Sequence, residues 1–342
     1  MNRKLLSWFT VFLVSLIVTI SCTPSPQTST SLTSPGNTPI RLGFIAWPGC
    51  IPWQIAQVEN VFNDNKVNVD LRWFKDSYLE SLKALSSGSL DANSQALNDT
   101  ILSVANGSEQ VIVLVTDTSI GNDAIIARQG INSIADLKGK KVAAEPGTTQ
   151  HFLLLLGLEK AGMTQADIQF EPLGVEEATE AFLAGQVDAI GVLAPFTTKA
   201  LLHPSSKVLF SSKDFPNAIP SHLVVSRQLV NERPQDVQAL VNSWFTTLDF
   251  IRNNREKSYK IMAERGGVSV KEYKTYDAGT KIFNLEDNLK AFSPGNDMTS
   301  LSHAAKDISN FLLENGLIQK QTDLSKMFDS RFVKAYAASH KS

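Results

Sequence analysis

The side chains able to do chemistry in this sequence are mostly acids and hydroxyls placed directly after short apolar runs. Trp47-Pro48-Gly49 closes the run that begins at Ile40, and Asp76-Ser77 follows Val67 to Phe74. Ser94-Gln95 and Asn98-Asp99 follow the run from Leu90, Ser119 and Asp123 precede Ala124 to Ala127, and Glu145 to Thr149 follows Lys141 to Ala144. If these runs are strands of an α/β protein, the loops at their carboxyl ends line a ligand cleft. The pooled loops contain Asp76, Asp99, Asp123 and Glu145, against Lys75 and Lys199 as the nearby bases. Anion sites normally offer Arg, Lys or bare helix amino termini, whereas an acid-rich mouth with aromatic faces suits an ammonium or guanidinium group. The residues expected to touch a solute are Trp47, Asp76, Ser77, Gln95, Asp99, Ser119, Asp123, Glu145 and Thr148. The expected solute is a small nitrogen-containing cation.

Each of these residues also has a structural use. Asp76, Asp99 and Thr148 stand where helices are expected to begin, and Asp and Thr are good N-caps. Asp91 and Asp188 each lie three residues after a glycine at a strand start, which suits a turn or cap. Glu145 can pair with Lys140 or Lys141 at the surface. Trp47 and Trp53 can be core or rim aromatics. Catalysis lacks its residues: there is no G-x-S-x-G elbow, H-E-x-x-H pair, Walker loop or Cys/His cluster, and His151, His203, His222, His303 and His340 are scattered. The chain is therefore read as a binding protein and not an enzyme, with no metal and no cofactor expected.

The elements that must position these residues alternate strand and helix. Ile40–Ala46, Val67–Phe74 and Leu90–Ser94 read as strands, separated by helical spacing over Pro52–Phe62 and Ser77–Ser87. This βαβαβ series favours right-handed crossovers and a parallel sheet. After strands at Val111–Val115 and Ala124–Ala127 a second series follows. It comprises strand Lys141–Ala144, helix Gln150–Ala161, strand Ile168–Pro172, helix Glu176–Leu183 and strand Val187–Leu193. Gly88-Ser-Leu-Asp91 in the first series is echoed by Gly185-Gln-Val-Asp188 in the second. His222–Val225 reads as a returning strand, and Arg233–Ala338 as mostly helical. The expected architecture is two doubly wound α/β lobes joined by crossing hinge segments: residues 39–118 with 222–342 in one lobe, 119–221 in the other.

The amino end fixes the compartment. Asn2, Arg3 and Lys4 precede an apolar run from Leu5 to Ile20, short for a membrane span and charged on its amino side only. The run stops at Thr19-Ile20-Ser21-Cys22, which resembles the bacterial lipobox, in which the cysteine is diacylated and becomes the new amino terminus. Residues 1–21 are thus expected to be a lipoprotein signal. Residues 22–38, nearly all Ser, Thr, Pro, Gly, Gln and Asn, are expected to be a flexible tether. Cys50 is then left as a buried small apolar residue. Of 342 residues 43% are hydrophobic and 19% charged, with 18 Phe and 5 Trp, a composition able to bury a core. Lys and Arg number 32 against 34 Asp and Glu, which leaves no surplus positive charge for nucleic acid.

Several stretches carry a family resemblance, in order and at suitable spacing. Phe44-Ile-Ala-Trp-Pro-Gly49 with Pro52-Trp53 resembles the first strand and loop of the nitrate, sulfonate, taurine and thiamine-precursor group of bacterial ABC-importer solute-binding proteins. Ala84-Leu-Ser-Ser-Gly-Ser-Leu-Asp91, Ile134-Ala-Asp-Leu-Lys-Gly-Lys-Lys-Val142, Glu145-Pro-Gly-Thr148 and Ala184-Gly-Gln-Val-Asp-Ala189 resemble the group's recurrent blocks. Leu193-Ala-Pro195 departs from them, standing where many relatives have an aromatic-acidic-Pro sequence. The resemblance implies the periplasmic-binding-protein fold and a monomeric receptor, held to the outer side of a membrane by Cys22, that hands a small solute to a permease. It also implies two alternatives to the cation: a small anion such as nitrate, taurine or an alkanesulfonate, and the binding or synthesis of a thiamine-pyrimidine precursor.

Overall fold

The computed structural model describes residues 38–75 and 77–340, all within one compact unit. The expected leader, Cys22, the tether through residue 37 and Asp76 lie outside the described residues. In chain order the first part runs β1 (Ile40–Phe44), α1 (Pro52–Val58), α2 (Val61–Asp64), β2 (Val69–Trp73), α3 (Tyr78–Ser86), β3 (Ala92–Ala96), α4 (Leu97–Ala105) and β4 (Gln110–Ser119). There follow β5 (Asp123–Ala127), β6 (Lys141–Ala144), α5 (Thr149–Lys160), β7 (Gln169–Pro172), α6 (Val175–Leu183), β8 (Ala189–Leu193), α7 (Phe196–Leu201) and β9 (Lys207–Ser211). The last part holds β10 (Pro220–Ser226), α8 (Arg227–Glu232), α9 (Pro234–Asn253), α10 (Arg255–Gly266), α11 (Val270–Ala278), β11 (Thr280–Ile282), α12 (Leu285–Ala291), α13 (Leu301–Glu314) and α14 (Arg331–Ser339).

Two sheets form. The first has the strand order β11-β4-β10-β3-β1-β2, and the second β7-β6-β8-β5-β9. β1 pairs in parallel with β2 and β3, and β6 with β7 and β8, as the βαβ spacing requires. The sheets are mixed rather than purely parallel, because β10 inserts antiparallel between β3 and β4, and β5 lies antiparallel to β8 and β9. The chain crosses between sheets twice, through residues 120–122 and 212–219. These crossings are tied together: Ser119 Oγ lies 2.7 Å from Ser212 Oγ, which also accepts from the Gly121 amide at 2.7 Å.

Local differences from the expected elements have local causes. The helix expected over Pro52–Phe62 is two helices, because Asn60 adopts φ 58° between them. The strand expected over Val111–Val115 runs on to Ser119, all ten residues buried. Its polar end is tolerated because Asp117 and Thr116 satisfy each other and Trp47. Trp53 and Trp244, both fully buried with rings 4.8 Å apart, pin α1 to α9 beneath the first sheet.

Candidate functional site

Three helices and two strand ends converge between the sheets. Ser77 caps α3, its hydroxyl accepting from the Glu80 amide at 3.2 Å, which leaves Tyr78 as the first helical residue facing the cleft. β3 runs into α4 with no intervening loop, and β6 reaches α5 through Glu145–Thr148. The amino termini of α4 and α5 both lack a side-chain cap. Thr148, at the cap position of α5, turns its hydroxyl back to the Glu145 carbonyl at 2.9 Å instead.

An inner chamber is lined by Trp47, Cys50, Tyr78, Ser94, Gln95, Ala96, Asp123, Thr149, Gln150 and Ser221, with Ile45, Leu193 and Ile219. An outer vestibule adjoins it through Ile45, Tyr78 and Leu193, and presents Phe74, Phe196, Lys75, Ser77, Glu145, Glu176 and Glu177. A rear cleft between Lys83, Asp99, Pro146 and Gly147 reaches the other side of Asp99. No Lys or Arg lines the inner chamber among the described residues.

Its acids are buried and bonded to neutral donors. Asp99, 1% exposed, accepts from the Tyr78 hydroxyl at 2.6 Å, the Thr149 hydroxyl at 3.0 Å and the Asn98 amide at 2.7 Å. The Thr149 bond joins α5 of the second sheet to α4 of the first. Asp123 accepts from Gln150 Nε2 at 2.9 Å, and Asp117 from Trp47 Nε1 at 2.8 Å. Burial pushes the Asp99 and Asp123 carboxyls up to about 7 and that of Asp117 to about 6, with the hydrogen bonds restraining each rise. The charges of Glu145 and Asp123 add to the rise at Asp99. Glu145, half-buried, is raised as well, against the pull of Lys83.

Of the residues singled out in the sequence, Trp47, Gln95 and Asp123 line the inner chamber, while Ser77 and Glu145 line the vestibule. Asp99 stands one residue behind the chamber wall, contacting Tyr78 and Thr149. Thr148 is buried beside the chamber. Ser119 ends β4 at the first crossing and is bonded to Ser212 in the second. Tyr78, Gln150, Ser221 and Asp117 were missed. Tyr78 and Gln150 adjoin residues that were named, whereas Ser221 and Asp117 carry no local signal. Cys50 is free and buried, as expected of a small apolar residue, and burial raises its thiol well above the ordinary value.

The NMT1-like family model matches residues 33–265 of this sequence. The chain belongs to the NMT1-like family. An Escherichia coli protein named for aliphatic sulfonate binding is 30% identical over 83% of this NMT1-like chain and 86% of its own length. A Brucella abortus protein named only as a binding protein is also 30% identical, over 76% and 81% respectively. The taurine-binding periplasmic protein of E. coli is 28% identical over 56% of the NMT1-like chain and 60% of its own length. The crystal structure of the E. coli periplasmic aliphatic sulphonate binding protein superposes with a TM-score of 0.71, at 24% identity, covering 85% of this chain and 92% of that one. The fold is thus of the periplasmic-binding-protein type, as the resemblance implied.

Proposed function

We propose that this NMT1-like chain, a solute-binding protein of the ABC-import type, takes a small organic anion of the sulfonate class in the inner chamber. The observation that carries this reading is the convergence of two uncapped helix amino termini, those of α4 and α5, on one chamber. Unpaired amide N–H groups and the positive end of the helix dipole favour an anion there without any Lys or Arg. The Ser94 hydroxyl, whose oxygen accepts from Trp53 Nε1, keeps a hydrogen to offer in the same chamber, and the vestibule offers Phe74, Leu193 and Phe196 to an apolar chain. The names of the relatives support the same class. Calorimetric titration of the purified protein with butanesulfonate, taurine and nitrate tests it. Binding of a sulfonate is expected, and no heat or thermal stabilisation from any of them would overturn the assignment.

A second reading keeps the guanidinium- or amine-type cation. It is favoured by Asp123 in the chamber lining, with no Lys or Arg among the described lining residues. Agmatine and methylguanidine in the same titration series separate the two.

The receptor is further proposed to work as a monomer at a membrane surface, tethered through a diacylated Cys22 and delivering its solute to a permease. The lipobox-like Thr19-Ile20-Ser21-Cys22 supports the anchor. Cys22→Ser is expected to abolish incorporation of labelled fatty acid, and unchanged labelling would remove the anchor.

A further inference from the structure

An anion chamber whose ionisable walls are carboxylates poses an electrostatic problem. Asp123 lines the chamber and Asp99 touches two residues that do, yet no Lys or Arg among the described lining residues offsets either. We propose that the chamber takes up a proton together with its anionic solute, held by the Asp99–Asp123 pair. The inference rests on the sulfonate-class reading above.

The hydrogen bonds say how the proton acts. With Asp99 ionised, the Tyr78 and Thr149 hydroxyls both spend their hydrogens on its Oδ2, at 2.6 and 3.0 Å. A protonated Asp99 can donate to one of these hydroxyls, which then turns its own hydrogen into the chamber that both residues line. Protonated Asp123 becomes a donor at the chamber wall itself. The proton comes from the acid form of the buffer and forms an O–H bond on one carboxylate; no other covalent bond changes in the protein or the solute. The step turns repulsion between like charges into hydrogen bonding and frees a donor from α3 or α5.

The surroundings favour that proton. Facing the pair are Asp117 from β4, Glu145 from the loop before α5, the Tyr78 hydroxyl of α3 and the Cys50 thiol before α1. Lys83 of α3 lies in the rear cleft beside Asp99, and Lys75 at the vestibule. Acids outnumber bases around both carboxyls, and burial already holds each near 7 before any anion arrives. A bound negative head group raises them further, so binding and protonation reinforce one another.

Calorimetric titration with butanesulfonate at pH 7.5, run in phosphate and in Tris, reads the proton directly, because the observed heat changes with the ionisation enthalpy of the buffer. Net uptake is expected, together with an affinity that falls toward tenfold per pH unit above pH 8. Tight butanesulfonate binding with no buffer dependence would overturn the proposal while leaving the sulfonate reading intact. Failure of every sulfonate to bind would instead overturn that reading, and proton release on binding an amine would place a cation on the carboxylates. Asp123→Asn, which keeps the hydrogen-bonding shape, is expected to reduce the uptake. Because the wild-type measurement is decisive, poor folding of that variant leaves the test standing.

Discussion

At the residue scale, Asp117 shows how tightly the acids of this cleft are built in. A Cβ added to Gly49 would lie 1.9 Å from Asp117 Oδ2 and 2.0 Å from its Cγ, and the carboxylate is held in place by Trp47 and Thr116. Gly49→Ala is therefore expected to destabilise the fold by about 1–3 kcal/mol through overpacking, read as a lower midpoint in chemical denaturation. The buried acids also give stability a pH dependence. Asp99, Asp117 and Asp123 bind their protons more tightly in the folded state, so their contribution is present at low pH and is lost as the pH rises through about 6 to 7. His222, fully buried and pushed down to about 3, acts in the opposite sense, but mostly below the ordinary histidine value. Between pH 6.5 and 8 the three acids outweigh the fading histidine contribution, and the ligand-free protein is expected to lose stability over that interval. A flat or rising denaturation midpoint from pH 6.5 to 8 would show that the carboxyls are not held as the structure implies.

At the scale of elements, the two Gly-x-x-Asp blocks do the same work in each sheet. Gly88 and Gly185 end their helices with φ 76° and 81°, a left-handed conformation in which a side chain would be strained. Three residues later Asp91 and Asp188 stitch the turn to the neighbouring strand. The Asp91 amide donates to the Arg41 carbonyl and its carboxylate accepts from the Arg41 amide, both at 2.9 Å. Asp188 makes the same pair of bonds with Lys141, at 2.8 and 2.9 Å. Asp91 additionally holds the Arg41 guanidinium through two bonds, at 2.9 and 2.6 Å. Burial alone would raise the Asp91 carboxyl, but its bonds to Arg41 outweigh that and leave it lowered. Asp91→Ala is expected to cost about 1–3 kcal/mol, and Asp188→Ala less, because it forfeits only the backbone bond. Urea denaturation of the two variants side by side tests the ranking, and an equal or reversed cost would contradict it.

At the scale of the whole molecule, the two sheets meet across a cleft whose walls touch through Thr149 and Asp99. If the cleft closes on its solute, the two crossings, tied together at Ser119 and Ser212, are where the rotation is expected, since short linked segments can absorb a rotation that the packed sheets cannot. Thr149→Val keeps the shape and removes the hydroxyl. It is expected to weaken solute binding by about ten- to a hundredfold, the worth of a charge-assisted hydrogen bond, while shifting the unfolding midpoint little. Small-angle scattering should show a more open ligand-free form for that variant. Unchanged affinity and unchanged scattering would mean that the contact plays no part in closure.

Much of the architecture was legible because its causes are local. The 3.6-residue spacing of Leu79, Leu82 and Leu85, the β-rich runs at Ile40 and Lys141 and the helix-ending glycines all act over a few residues, and they predicted strands and helices close to those formed. The ordered blocks from Phe44 to Ala189 likewise carried the family on the chain alone. The chamber was decided by contacts that no local pattern encodes. Asp117 meets Trp47 across 70 residues, Asp99 meets Thr149 across 50, and Ser119 meets Ser212 across 93. An aspartate in a polar loop reads as a solvated charge, and its count suggested a cationic solute. Only tertiary burial turns such a residue into an acid that titrates near neutrality and is bonded to neutral donors, because desolvation depends on what the rest of the chain packs around it. The chain's order therefore determined the fold and the loops that meet at the cleft. The packing alone decided which of their side chains stay wet, which are held as acids titrating near neutrality, and which ones a solute can reach.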